Sequence, residues 1–194
     1  IVVIADGSAT ARFAAIDLIV QAEHGPDGLS WLISWEPETI DAILSELEAM
    51  VSISDRKEMI ASTFNTGGYA VLVEGPEQAM DVANLVAPEH LQLMVAQPEA
   101  LLDSLQNAGA VFLGDMSPAS VGDYIAGPSH VLPTHGSARF AGVLTVDDFC
   151  KDIHIIAVED TAIDEIGPSV VELAEAEGLS GHADSIRIRM ESKK

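Results

Sequence analysis

Short apolar runs alternate with amphipathic stretches through the first half of the chain, and this alternation predicts strands separated by helices. Runs rich in β-branched and other apolar residues predict strands over residues 1–5, 31–34, 69–74, 91–95 and 110–113. Apolar residues spaced three and four apart predict helices over residues 9–23, 37–50, 54–62, 76–87 and 98–107. Strands joined by helices of this length pair in parallel, so we expect an α/β layered fold. In such folds ligands sit beyond the carboxyl ends of the strands, and we expect a site there.

Turn residues and prolines refine these boundaries. Residues 65–68, Asn-Thr-Gly-Gly, predict a turn before the third strand. Pro37 and Pro76 each fall at the first turn of a predicted helix, where the missing N–H has no helical partner to lose.

Regular patterning stops after residue 113. Residues 114–145 are rich in glycine and proline and predict a long loop, which in a compact domain is usually functional. Beyond it we expect a strand at 153–158 and helices at 162–176 and 183–189. The chain therefore divides into an incomplete α/β domain with a mostly parallel sheet, residues 1–145, and a mostly helical tail, residues 146–194.

The charge balance argues against two classes of partner, nucleic acids and anionic membranes. The 194 residues include 31 acids and nine bases, for a formal net charge of −22. Phosphate backbones and anionic membrane surfaces would be repelled, and no basic stripe exists to bind them. The acidity fits either an ordinary solvated surface or a salt-rich cytoplasm that screens self-repulsion.

Two further features indicate the compartment. No apolar run reaches the roughly 18 residues of a membrane-spanning helix. The lone cysteine, Cys150, excludes an internal disulfide, so we expect a cytoplasmic protein with this cysteine buried in the fold. The chain begins without methionine in the middle of a predicted strand, from which we expect it to be a fragment.

Gln21 and His24 are three residues apart at the end of a predicted helix, which places their side chains on one face. An amide oxygen and an imidazole there could hold one divalent ion. The spacing alone favours a simpler interpretation, in which His24 interacts with the helix dipole and Gly25 ends the helix.

Glu89 and His90 are adjacent, and neighbours in a strand point to opposite faces. Both reach one site only if the backbone still turns after Pro88. Histidine is the natural general base at neutral pH, and the glutamate could activate water. An exposed pair at a strand entry is an equally good interpretation.

The glycine-rich loop carries Asp123, which could complete a metal site, and His130, which could hold a polar substrate. The alternative for Asp123 is a turn in which its carboxylate accepts hydrogen bonds from backbone N–H groups.

His135 is interpreted as a loop histidine, with competition for a metal as a second possibility, and His154 as a strand histidine facing solvent. Glu177 and His182 lie in the tail, which we expect to pack on another subunit.

These runs together resemble histidinol dehydrogenase, a zinc enzyme of histidine biosynthesis. The order and spacing match in QAEHGPDG, APEHLQLMV, NAGAVFLG, VGDYIAGPSHVLPTHGSARF and AEGLSGHADSIRIR. The resemblance covers nearly all of this chain and roughly the C-terminal half of the family's usual length.

The resemblance implies a role for each candidate residue. Gln21, His24, Asp123 and His182 match zinc ligands, which in this family also contact the substrate. Glu89 and His90 match the catalytic acid–base pair. His130 and Glu177 match substrate-binding residues. Glu177 and His182 come from the partner subunit in the family, which implies a homodimer with shared active sites.

The implied reaction is the oxidation of L-histidinol to L-histidine through the aldehyde, with two NAD⁺. The family's nucleotide-binding module lies upstream of Ile1, and no Gly-x-Gly-x-x-Gly occurs in this chain, so its NAD-binding residues are unknown. A zinc hydrolase that uses Glu89 as base, and a non-catalytic zinc-binding fragment, are the alternatives.

Overall fold

The structure is a computed structural model that describes residues 1–25 and 27–192. It forms two compact units, Ile1–Phe149 and Cys150–Lys194. No helix in the described part of the chain combines the length and apolarity needed to cross a bilayer.

The first unit is built on a parallel sheet, as predicted. Its strands within the described residues are β1 Val2–Ala5, β2 Ser30–Ser34, β3 Gly68–Leu72, β4 His90–Met94 and β5 Ala110–Leu113. They lie in the order β3-β2-β1-β4-β5, and every neighbouring pair is parallel. This confirms the α/β class.

Helices connect the strands. In the first unit they are α1 Ala11–Ala22, α2 Pro37–Ile53, α3 Lys57–Gly67, α4 Pro76–Val86 and α5 Ala119–Tyr124. Short 3₁₀ helices cover Pro98–Ser104, Ser137–Arg139 and Val146–Phe149. The segment 114–145, predicted as one loop, therefore contains α5 and a 3₁₀ turn.

The central strand β1 is buried on both faces, which explains its unbroken apolar sequence. Val3 and Ala5 pack with Leu18 of α1 and Ile43 of α2. Val2 and Ile4 face the other way, into a second cluster that includes Met80 and Ala83 of α4. Burial of these side chains contributes roughly 1.5–3 kcal/mol for each large aliphatic group.

Two boundary predictions in the first unit are wrong. The predicted helix 98–107 is a 3₁₀ helix that ends at Ser104, because the backbone N–H groups of Gln106 and Asn107 donate to the Asn84 side chain instead. The predicted turn at 65–68 is absent, since α3 continues through Gly67 and β3 begins at Gly68. A Cβ on Gly68 would approach Phe64 to 2.7 Å, so glycine permits this direct passage from helix to strand.

The second unit consists mainly of α6 Asp160–Ala176 and α7 Ser180–Glu191, which pack together. Arg187 of α7 pairs with Glu175 of α6 and with Asp184. The predicted strand 153–158 is wrong: this stretch has no strand pairing, and its side chains are exposed, including His154. Cys150, expected to be buried, is exposed.

Candidate functional site

Gln21, His24 and Glu89 lie at the amino ends of the strands, not at the carboxyl ends where we expected a site. A pocket of about 370 Å³ is lined there by Ile1, which precedes β1, and Leu29, which precedes β2. Glu89, which precedes β4, lines the same pocket. The usual rule for parallel sheets therefore does not locate this site.

The end of α1 carries Gln21 and His24 into this pocket. The helix ends at Ala22, and the N–H of His24 donates to the carbonyl of Gln21 at 3.3 Å, which keeps both side chains on one turn. The buried Thr63 hydroxyl lies 2.9 Å from the Ala22 carbonyl and 2.8 Å from that of Gly25. Thr63 therefore fastens the helix end to α3.

The backbone at Glu89 and at the residue before it is hydrogen-bonded to the start of β5. Its carbonyl accepts from the Ala110 N–H at 2.8 Å, and the Pro88 carbonyl accepts from the Gly109 N–H at 2.9 Å. A Cβ on Gly109 would lie 2.6 Å from the Glu89 carbonyl oxygen, so only glycine allows this approach. The backbone of Glu89 is thereby fixed at the pocket wall.

His90 lines a neighbouring pocket of about 480 Å³, together with Asp123 and His130. It is the first residue of β4, one position earlier than the predicted strand. Glu89 and His90 thus line different pockets, consistent with the alternation of a strand. The Nε2 atom of His90 lies 3.5 Å from Oδ1 of Asp123, a contact that is electrostatic rather than a well-formed hydrogen bond.

Asp123 reaches His90 because α5 packs tightly on β5. A Cβ on Gly122 would come within 2.7 Å of the Phe112 ring, so a larger residue would push α5 away. The rings of Phe112 and His90 have centroids 5.9 Å apart. Asp123 therefore lies in a short helix and not in the capped turn considered as its alternative.

The environment of His90 favours its neutral form. The residue is 8% exposed, and burial lowers the pKa of its imidazole, while the Glu89 and Asp123 carboxylates oppose that shift. Among the described residues neither ring nitrogen has a hydrogen-bond partner. A buried, neutral imidazole whose nitrogens lack a hydrogen-bond partner is suited to act as a proton acceptor.

The side chains that the resemblance implies as zinc ligands carry suitable donor atoms, but only some of them lie in the same pocket. Gln21 and His24 share one pocket, and Asp123 lines the next. Nitrogen and oxygen donors of this kind suit zinc. Within residues 1–25 and 27–192, no three His, Cys, Asp or Glu side chains lie close enough to hold a metal ion.

The carboxyl edge of the sheet does not fit the phosphates of a dinucleotide. The N–H of Thr10, at the start of α1, already donates to Asp115 Oδ2 at 2.8 Å. Asp6 accepts from Ser8 and Ala96, and Glu36 and Glu38 line the groove beside it. Carboxylates thus fill the position that a phosphate would take.

The other predicted residues lie elsewhere. Glu177 follows α6 and His182 lies in the first turn of α7, both in the second unit.

His135, for which competition for a metal was the second interpretation, lines the first pocket with Gln21, His24 and Glu89. Its positive φ of 53° is unusual for a residue with a Cβ. The Thr-His-Gly-Ser string predicts a turn at 134–137, but not which pocket the turn borders.

Comparisons with known proteins agree with one another. The family model described as histidinol dehydrogenase matches residues 1–190. The chain is 46% identical over 187 residues to the histidinol dehydrogenase of Thermus thermophilus, covering 96% of this chain and 45% of that protein. It is 41% identical over 186 residues to that of Caldanaerobacter subterraneus, covering 96% and 43%.

A solved structure agrees as well. The crystal structure of histidinol dehydrogenase from Elizabethkingia anophelis aligns with a TM-score of 0.90 at 35% identity, over 98% of this chain and 44% of that chain. The chain thus spans less than half the length of the relatives it matches. By the family match and these identities, the chain belongs to the histidinol dehydrogenase family.

Proposed function

We propose that this chain forms the substrate-site part of an enzyme that oxidises L-histidinol to L-histidine through the aldehyde, with two NAD⁺ as electron acceptors. The supporting observation is His90. It is buried, its ring nitrogens lack hydrogen-bond partners, and it has two acidic neighbours, Glu89 before it in the sequence and Asp123 at 3.5 Å from its Nε2 atom. The identity of the proposed substrate is inferred from membership of the family.

The proton chemistry follows from these side chains. The neutral imidazole of His90 takes the proton of the substrate alcohol in the first oxidation. In the second, Glu89 takes a proton from a water molecule, whose oxygen adds to the aldehyde carbon. The protonated His90 returns its proton to the aldehyde oxygen to complete the hydrate, and its neutral imidazole then takes a hydroxyl proton while a hydride leaves for the second NAD⁺. Water supplies the second carboxylate oxygen of histidine.

Zinc is the proposed metal, held by Gln21, His24 and Asp123 with His182 of a second copy of the chain. The support is the helix end that presents Gln21 and His24 to one pocket. When bound, zinc would fix the amine and imidazole of the substrate without taking part in electron transfer. His130 and Glu177 are the proposed contacts to the substrate.

The nucleotide is proposed to bind outside the described residues, since acidic side chains fill the carboxyl edge of this sheet. The proposed assembly is a homodimer with shared sites in the cytoplasm, and its proposed partners include neither nucleic acid nor membrane. The net charge of −22 supports the exclusion of nucleic acid.

Product analysis tests the reaction and separates it from hydrolysis. The chain would be purified as given, and also extended upstream with its own genomic coding sequence to the length of its relatives. We expect the extended protein to form histidine and two NADH for each L-histidinol. Hydrolysis of ester analogues without NAD⁺, and no NADH from histidinol, would favour the zinc hydrolase instead. Zinc binding without either activity would favour the non-catalytic fragment.

A further inference from the structure

Strained backbone borders the pocket that holds Gln21, His24 and Glu89. Among residues 1–25 and 27–192, a positive φ outside glycine occurs at Ala87, 51°, and His135, 53°. Both residues line this pocket. Left-handed backbone is costly for a residue with a Cβ and persists only where its surroundings hold it.

The strained backbone at Ala87 leads the chain from α4 into Glu89 and His90, the proposed catalytic pair. Ala87 ends α4 and is buried, and its left-handed conformation turns the chain towards Glu89 and His90. The last carbonyls of a helix lack partners within the helix, and α4 carries no basic residue in its last turn.

The strain at His135 lies in a tight turn. The N–H of Ser137 donates to the carbonyl of Thr134 at 3.0 Å, and the residues between them, His135 and Gly136, both have positive φ. A type I′ turn has this pattern and favours asparagine or glycine at its first central position. Histidine at that position needs support from outside the turn.

Arg139 connects the two strained segments. Its Nη1 donates to the Gly136 carbonyl at 2.8 Å, and its Nη2 donates to the carbonyl of Leu85 in the last turn of α4. A Cβ on Gly136 would collide with Nη1 of Arg139. The planar guanidinium thus spans the turn and the helix end, which the point charge of a lysine would not do as well.

We propose that Arg139 is a positioning residue for the proposed reaction: it holds the strained Thr134–Ser137 turn against the end of α4 and so sets the part of the pocket wall that this turn forms. It touches neither substrate nor metal in this role. The expected change in KM rests on the proposed function, whereas the expected change in backbone structure rests on the hydrogen bonds alone.

A mutant cycle in the extended protein tests this role. Arg139→Ala is expected to raise the KM for L-histidinol by roughly tenfold, because both hydrogen bonds of the exposed guanidinium are lost, with a smaller change in kcat. Arg139→Lys should recover part of the loss. Replacing His135 by glycine removes the strain, so the KM increase caused by Arg139→Ala should largely vanish in the His135→Gly background. Arg12→Ala, at an exposed arginine of α1, is the matched control.

Amide hydrogen exchange provides a readout that does not depend on turnover. Arg139→Ala should accelerate exchange at the Ser137 amide, and the His135→Gly background should reduce that acceleration. An unchanged Ser137 amide, or an equal KM increase with and without His135→Gly, would overturn the proposal. If the wild-type protein does not oxidise histidinol, the proposed function fails, while the exchange experiment still decides the role of Arg139.

Discussion

The Nε2 atom of His90 lies 3.5 Å from Oδ1 of Asp123, which joins the first residue of β4 to the short helix α5. His90 is buried, and Asp123 is its acidic neighbour across the second pocket. The contact brings a proposed base next to a proposed metal ligand. The roles of both residues are separable by mutation.

His90→Asn in the extended protein should lower kcat for histidinol oxidation by roughly 10²–10⁴-fold, because the proton acceptor is lost. Zinc content should stay the same, since His90 is not a proposed ligand. NADH formation and elemental analysis measure the two effects. His154→Asn, at an exposed position, serves as the control, and turnover near the wild-type level in His90→Asn would refute the base role.

Asp123→Asn should weaken zinc binding at least roughly tenfold, because an anionic ligand is replaced by a neutral amide. Competition with a chelator measures the affinity. Asp81→Asn, an exposed substitution on α4, should leave the affinity unchanged. Equal zinc affinities for Asp123→Asn and the wild type would remove Asp123 from the ligand set.

Mixing two inactive variants tests whether sites are shared between subunits. One variant is His90→Asn and the other is His182→Ala. If His182 acts in the site of the other copy, each mixed dimer keeps one intact site, and an equal mixture should recover about a quarter of wild-type activity. No recovery after subunit exchange would show that each site is built within one chain.

Asp17 and Gln92 form a buried pair whose stability should depend on pH. The Gln92 amide donates to Asp17 Oδ2 at 2.6 Å. Burial raises the pKa of Asp17 above 3.8, an effect partly offset by that hydrogen bond and reinforced by Asp115. The folded state therefore holds this proton more tightly than the unfolded state, so this group's contribution to stability falls as pH rises from 3.8 through the folded pKa.

Asp17→Asn removes that titration while keeping the size of the side chain. The free energy of unfolding should then fall less with rising pH over this window, as measured by urea denaturation. Asp103→Asn, at an exposed position of the 3₁₀ helix Pro98–Ser104, should keep the wild-type pH dependence. A parallel offset of the two pH curves, with no change in slope for Asp17→Asn, would contradict the assignment.

The sequence was sufficient to predict the fold class, because apolar runs such as Val2–Ala5 are characteristic of strands covered on both faces. It was not sufficient to locate the site at the amino edge. The order of strands and helices does not say which edge carries a ligand, and at the carboxyl edge the Thr10 N–H already donates to Asp115. That hydrogen bond joins residues far apart in sequence.

The remaining differences have the same origin. The role of Arg139 depends on its contact with Leu85, 54 residues away, which no local pattern reveals. The segment 153–158 alternates in a way that is typical of a strand, but a strand needs a hydrogen-bonding neighbour, and none pairs with it in the described part of the chain. Local sequence patterns predict helices and strands, but they do not show which distant residues those helices and strands contact.

The central claim is that Gln21, His24 and Asp123 bind one zinc ion. Anomalous diffraction at the zinc absorption edge, from crystals of the extended protein, locates such an ion directly. We predict one peak per site within about 2.0–2.2 Å of the Gln21 amide oxygen, a His24 ring nitrogen and an Asp123 carboxylate oxygen. A zinc peak bound by residues other than these three and His182, or no peak in a protein that oxidises histidinol, would contradict the account.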